Sequence, residues 1–187
     1  MKQFFKGDIF ALALALVGLA ATISFAQSPD PKEEAAKLEP GVYYWAGTAW
    51  QPMEPLTWSA NGVKKEGKSS VFAYRHSKAR VQITGGSPLF CYKFTEAASG
   101  SASFQNVVIA RLDQKKDHRE LETPSDAGAF KFKLGFTKER TPEITLTEVT
   151  PGVILISPKS PLSPGEYVLG GASLAISGYD FGFHSAK

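Results

Sequence analysis

From residue 41 onward, apolar side chains recur at every second position far more often than at a spacing of 3.6, the pattern of extended segments with one buried face. Phe130, Phe132, Leu134 and Phe136 share one face of such a segment, and Lys131 and Lys133 share the other. Phe90, Tyr92 and Phe94 alternate with Cys91 and Lys93, while Tyr179, Phe181 and Phe183 alternate with Asp180, Gly182 and His184. Further strands are expected over residues 71–74, 80–84, 106–112, 143–149, 153–157 and 166–169. No long amphipathic helix separates them. The pattern predicts an all-β fold, a single antiparallel β-sandwich, Ig-like or a related barrel, over residues 41–187.

Turn chemistry supports the same reading. In Trp45-Ala46-Gly47-Thr48-Ala49-Trp50, Gly47 can take the positive φ that a type II′ turn needs at its first central position, so a tight hairpin is expected with Trp45 facing Trp50. Pro40-Gly41, Pro151-Gly152 and Pro164-Gly165 each precede a strand-like run, because proline presets one turn dihedral and glycine accepts the next. Their uneven spacing gives no repeat.

The first residues differ in kind. Lys2 and Lys6 form a basic start, residues 9–21 are apolar apart from Gly18, and Ser24-Phe25-Ala26 places small residues at both recognition positions of a signal peptidase. Residues 1–26 are therefore expected to be a secretory signal peptide, followed by a polar linker over 27–40 with two prolines, the run Lys32-Glu33-Glu34 and room for a short helical turn over 33–38. An uncleaved anchor is the alternative, since residues 9–26 approach the length that spans a bilayer, but the polar, small-residue tail favours cleavage. The expected location is the periplasm or the cell exterior, away from cytosolic ATP and NAD.

Composition narrows the classes further. A chain of 187 residues holds one domain or two small ones, and a net charge of +3 is too balanced for a nucleic-acid footprint. One cysteine makes no internal disulfide. Cys91, in an aromatic strand pattern, is expected as a buried thiol acting as a small hydrophobe.

Residues 62–69 match G-x-x-x-x-G-K-[ST], the loop whose amides cradle phosphates. Such a loop opens a helix, whereas residues 70–74 read as a strand, so a polar connection between strands is expected instead. His76, His118 and His184 have no second ligand at metal-binding spacing and are expected in loops or at the surface; no metal or cofactor is expected. Gly85-Gly86-Ser87-Pro88 lacks the second glycine of a nucleophile elbow, and no catalytic residue stands out. The mixed-sign run Lys115-Lys116-Asp117-His118-Arg119-Glu120 reads as a solvated strand end or turn. Trp45, Trp50 and Trp58, beside Tyr43 and Tyr44, either form an exposed platform for a ligand or fill the core, and core filling is favoured because large aromatics are highly buried on average.

Pro88-Leu89-Phe90, the stretch from Arg111-Leu112 to Arg119-Glu120, Pro164-Gly165-Glu166-Tyr167 and Tyr179-Asp180-Phe181-Gly182 together resemble a family of exported bacterial β-rich proteins without an assigned activity. The resemblance covers about half the chain. It implies an exported β fold and brings no catalytic residue with it.

The function expected from the sequence is an exported, non-enzymatic module with a binding or structural role toward a protein or a glycan. Membrane contact is expected only if the leader stays attached. One rival is a secreted carbohydrate-binding module using Trp45, Trp50 and Trp58. The other is a secreted hydrolase with a carboxylate pair drawn from Asp113, Asp117, Glu120 and Glu143.

Overall fold

A computed structural model describes residues 28–56, 58–66, 69–94, 107–124, 140–170 and 178–186, of which 58–66, 69–70 and 123–124 are described by backbone alone. The expected signal peptide and the expected strand over 130–136 lie outside the described residues. Among the described residues strand predominates. A short helix α1 (Pro31–Ala36) precedes β1 (Gly41–Trp45), β2 (Trp50–Pro52), β3 (Trp58–Glu66), β4 (Ser69–Arg75), β5 (Gln82–Thr84) and β6 (Phe90–Lys93). There follow β7 (Val108–Gln114), β8 (His118–Pro124), β9 (Ile144–Thr150), β10 (Val153–Pro158), β11 (Gly165–Gly170) and β12 (Tyr179–His184). They form a five-stranded sheet, β2-β1-β6-β10-β9, and a seven-stranded sheet, β3-β4-β8-β7-β11-β12-β5.

Period-two alternation decides which face of each strand is buried. Val42 on β1, Phe90 on β6 and Ile154 and Ile156 on β10 project from the five-stranded sheet into one cluster with Ile109, Tyr167, Leu169, Phe181 and Phe183 of the seven-stranded sheet. The two sheets therefore share a core, as in a β-sandwich. The ring of Phe90 lies 4.7 Å from that of Phe181 across this interface, and Phe181 stacks on Tyr167 at 5.4 Å. The pairing departs from a purely antiparallel plan at one edge, because β5 runs parallel to β12. Among the described residues no helix is long and apolar enough to cross a membrane.

The outer face of the five-stranded sheet is also apolar. Cys91, Val153 and Leu155 occupy the alternate positions of β6 and β10 and pack with Trp50 and with Ala35 of α1. The segment expected as a polar linker thus carries a helix seated on the sheet. Asp30 caps it by accepting from the Lys32 N–H at 2.8 Å, proline opens it, and the fully buried Ala35 is its contact point. Trp50 Nε1 donates to the Pro31 carbonyl at 3.0 Å and Lys93 Nζ to the Ala36 carbonyl at 3.0 Å, fixing both ends.

The Trp45–Trp50 hairpin forms in the expected register. Ala46 N–H donates to the Ala49 carbonyl at 2.9 Å, Gly47 has φ 93°, and the two indoles meet edge to face at 5.2 Å. Pro151-Gly152 turns β9 into β10, with Gly152 at φ 79°. The phosphate-loop pattern falls on the β3–β4 hairpin, where Lys64 pairs with Val71 and Glu66 with Ser69, so no helix follows it.

Cys91 is wholly buried, and burial pushes its thiol up to about 12. An aromatic disulfide reagent at neutral pH is expected to label it only as fast as the protein opens. Labelling of the native chain at the rate of a free thiol would contradict this seat.

Candidate functional site

The faces turned away from the shared core reveal the site. On β12, Phe181 and Phe183 point to the core, so Asp180 lies on the outer face of the seven-stranded sheet. The same parity places Glu166 beside Val168 on β11 and Arg119 beside Leu121 on β8, with Val168 and Leu121 in the outer apolar cluster. Three charged side chains from distant strands thereby meet on one face.

Arg119 is only 2 % exposed and Glu166 likewise 2 %, values that for charged groups require dedicated partners. Arg119 Nη1 donates to Asp180 Oδ2 and stands 3.6 Å from Glu166 Oε2. Its Nε donates to the His76 carbonyl and its Nη2 to the Arg75 carbonyl, each at 3.0 Å. Glu166 Oε2 in turn accepts from the Ala79 N–H at 2.7 Å. One guanidinium and two carboxylates thus fasten the chain between β4 and β5 to the sheet. His76 sits there at φ 67°, the left-handed region that costs a non-glycine residue about 1–2 kcal/mol, and the Arg119 bond to its carbonyl holds it in place.

Above this cluster opens a cleft of about 640 Å³. Arg119 and Asp180 form its floor. One wall comes from residues 52–56 with Tyr44, the other from residues 75–82. Leu56 anchors the first wall: its N–H donates to the Gly178 carbonyl at 2.7 Å, and its side chain packs with Tyr74 and Val168. In the second wall the Gln82 side chain lies so close over β12 that a Cβ on Gly182 would collide with its amide. Arg75, His76, Lys78 and Arg80 are exposed along that wall. An exposed ion pair between Arg80 and Glu54 joins the two walls.

Among the described residues the lining contains no serine, threonine or cysteine, Asp180 is engaged by Arg119, and Glu54 by Arg80. The carboxylates considered for hydrolysis lie elsewhere. Asp113 pairs with Arg140 at 2.8 Å and Glu143 with Lys159 at 3.2 Å. At the β7–β8 hairpin, His118 bridges Asp117 at 2.7 Å and Glu120 at 2.9 Å, and Lys115 reaches Glu120 at 3.3 Å. Donating to the Asp117 and Glu120 carboxylates raises the His118 pKa, and the imidazole lowers both carboxyls. Asp113 and Glu120 do face each other across β7 and β8, but each has a cationic partner. Among the described residues no group of three His, Cys, Asp or Glu side chains is arranged to hold a metal ion.

The tryptophans occupy different places. Trp50 is buried beneath α1, and Trp45 packs half-buried against the same cluster, so neither lies in the cleft. The side chain of Trp58 lies outside the described residues. The cluster that the structure does assemble was overlooked in the sequence because Arg119 sits in a run of mixed charge that reads as solvated. A signal was present: Arg119 is two residues before Leu121, in step with the buried positions of its strand.

No family model matches the chain, and no curated protein and no solved structure is significantly similar to it.

Proposed function

We propose that the chain is an exported, non-enzymatic binding module of the β-sandwich type, Ig-like or a related barrel, and that its ligand seat is the cleft above Arg119 and Asp180. The observation that carries this reading is a cavity of ligand size, about 640 Å³, whose two carboxylates are each held by an arginine. A rigid floor with saturated hydrogen bonds suits a receptor, which needs a fixed shape, more than an enzyme, which needs a poised nucleophile or proton carrier. Export rests on the basic start, apolar stretch and Ser24-Phe25-Ala26 of the leader. A mature N-terminus at Gln27 in the exported fraction is its direct check.

Thermal unfolding in the presence of a panel of neutral and charged small molecules tests the seat. A ligand at about 100 times its Kd adds about 2.7 kcal/mol and so raises the midpoint by several degrees. Pro52→Trp, an exposed change at the rim, is expected to abolish that shift by filling the cleft. If no compound stabilises the native chain, or if every stabiliser shifts native and Pro52→Trp protein alike, the cleft is not the seat.

A further inference from the structure

The walls of the cleft differ in charge. The wall formed by residues 75–82 presents three exposed cations, Arg75, Lys78 and Arg80, and the facing wall presents a single carboxylate, Glu54. The floor offsets only part of this excess: Arg119 lies between Asp180 and Glu166, a net single negative charge, so the cleft with its floor keeps one positive charge in excess, and that excess lies on the exposed wall. Among the described residues, Arg75 and Lys78 make no ion pair, and Arg80 pairs only with Glu54. That pair is 84 % and 75 % exposed, so water screens it and a competing anion displaces it easily. Opposite the cations, Tyr44, Pro52, Pro55 and Leu56 give the other wall an apolar surface.

We propose that the cleft binds a small organic anion, with its carboxylate or phosphate against Arg75, Lys78 and Arg80 in place of Glu54, and its apolar body against Tyr44, Pro55 and Leu56. The inference rests on the reading of the cleft as the ligand seat and adds the sign of the ligand. Guanidinium groups suit both head groups, since the planar fork of N–H donors matches two oxygens of either. A cavity of about 640 Å³ has room for a one- or two-ring body and excludes a folded partner. The Arg119 cluster serves as the positioning device, holding the Arg75 and His76 carbonyls and hence the backbone that carries the cationic wall.

Three probes of equal body and different charge test it by titration calorimetry: 1-naphthylacetate, 1-naphthyl phosphate and the neutral 1-naphthylacetamide. At low salt both anions are expected to bind about tenfold or more tightly than the amide, with affinity falling as ionic strength rises. The tighter of the two anions names the head group. Arg75→Glu with Lys78→Glu is expected to cost about tenfold for the anions and to leave the amide unchanged. Glu54→Gln is expected to tighten the anions by about threefold, because it removes the competing carboxylate. All three positions are exposed, so an unchanged unfolding midpoint verifies that each variant is folded. Equal binding of anions and amide, indifference to the double charge reversal, weaker anion binding in Glu54→Gln, or no anion binding up to about 10 mM would each overturn the assignment. Amide binding that Pro52→Trp abolishes would keep the cleft as the seat while removing the anion. A panel in which nothing binds removes both.

Discussion

Replacing Arg119 by Met is expected to lower the unfolding free energy by about 3–5 kcal/mol, measured by chemical denaturation. The cause is what stays behind. Asp180 and the buried Glu166 lose the cation between them, and the carbonyls of Arg75 and His76 lose their donors. For a domain of this size the midpoint of thermal unfolding is expected to fall by roughly 10 °C. Arg119→Lys keeps the charge but not the planar fork, so it cannot serve two carbonyls and a carboxylate at once, and an intermediate loss is expected. Removing all three charges together, as Arg119→Met with Glu166→Gln and Asp180→Asn, is expected to recover part of the loss, because no buried charge is then left alone. An Arg119→Met protein as stable as the native chain would show that the cluster carries no structural load.

Phe181→Ala is expected to cost about 3–5 kcal/mol, through both the lost transfer energy of the ring and the cavity left at the junction of the sheets. Phe181 is fully buried and is the ring through which the five-stranded sheet, at Phe90, meets the Tyr167 ring of the seven-stranded sheet. Each such aromatic pair contributes about 0.5–1.5 kcal/mol beyond its buried area. Leu146→Ala provides the comparison, since Leu146 is 36 % exposed on edge strand β9 and its truncation is expected to change stability by less than about 0.5 kcal/mol. Equal losses at the two positions would mean that the sheets are not joined through Phe181.

These two side chains show how differently fold and site can be read from the chain. Phe181 lies in a strict alternation with Tyr179 and Phe183, and that alternation alone places it inside. The strands β6, β9, β10, β11 and β12 and the Trp45–Trp50 hairpin were legible for the same local reason. β3 was not, because its last residues match a phosphate-binding pattern and carry little apolar periodicity. Nor was α1 as a packed element. Six residues rich in charge read as linker, and only the sheet beneath supplies Trp50, Cys91 and Leu155 as the surface that Ala35 seals.

The sequence by itself determined the secondary structure class, the parity of each well-patterned strand and the turns between them, because each depends on residues within a few positions of one another. Parity even assigned Asp180 to the side away from the core. Tertiary structure alone decided that this outer face would receive Arg119 from 61 residues earlier, and that Glu166 would hold Ala79 from 87 residues earlier. It also decided that a cleft would open above them. Strand order sets those meetings, and the local rules of period and turn chemistry leave strand order open, since any pairing that buries the same faces satisfies them equally.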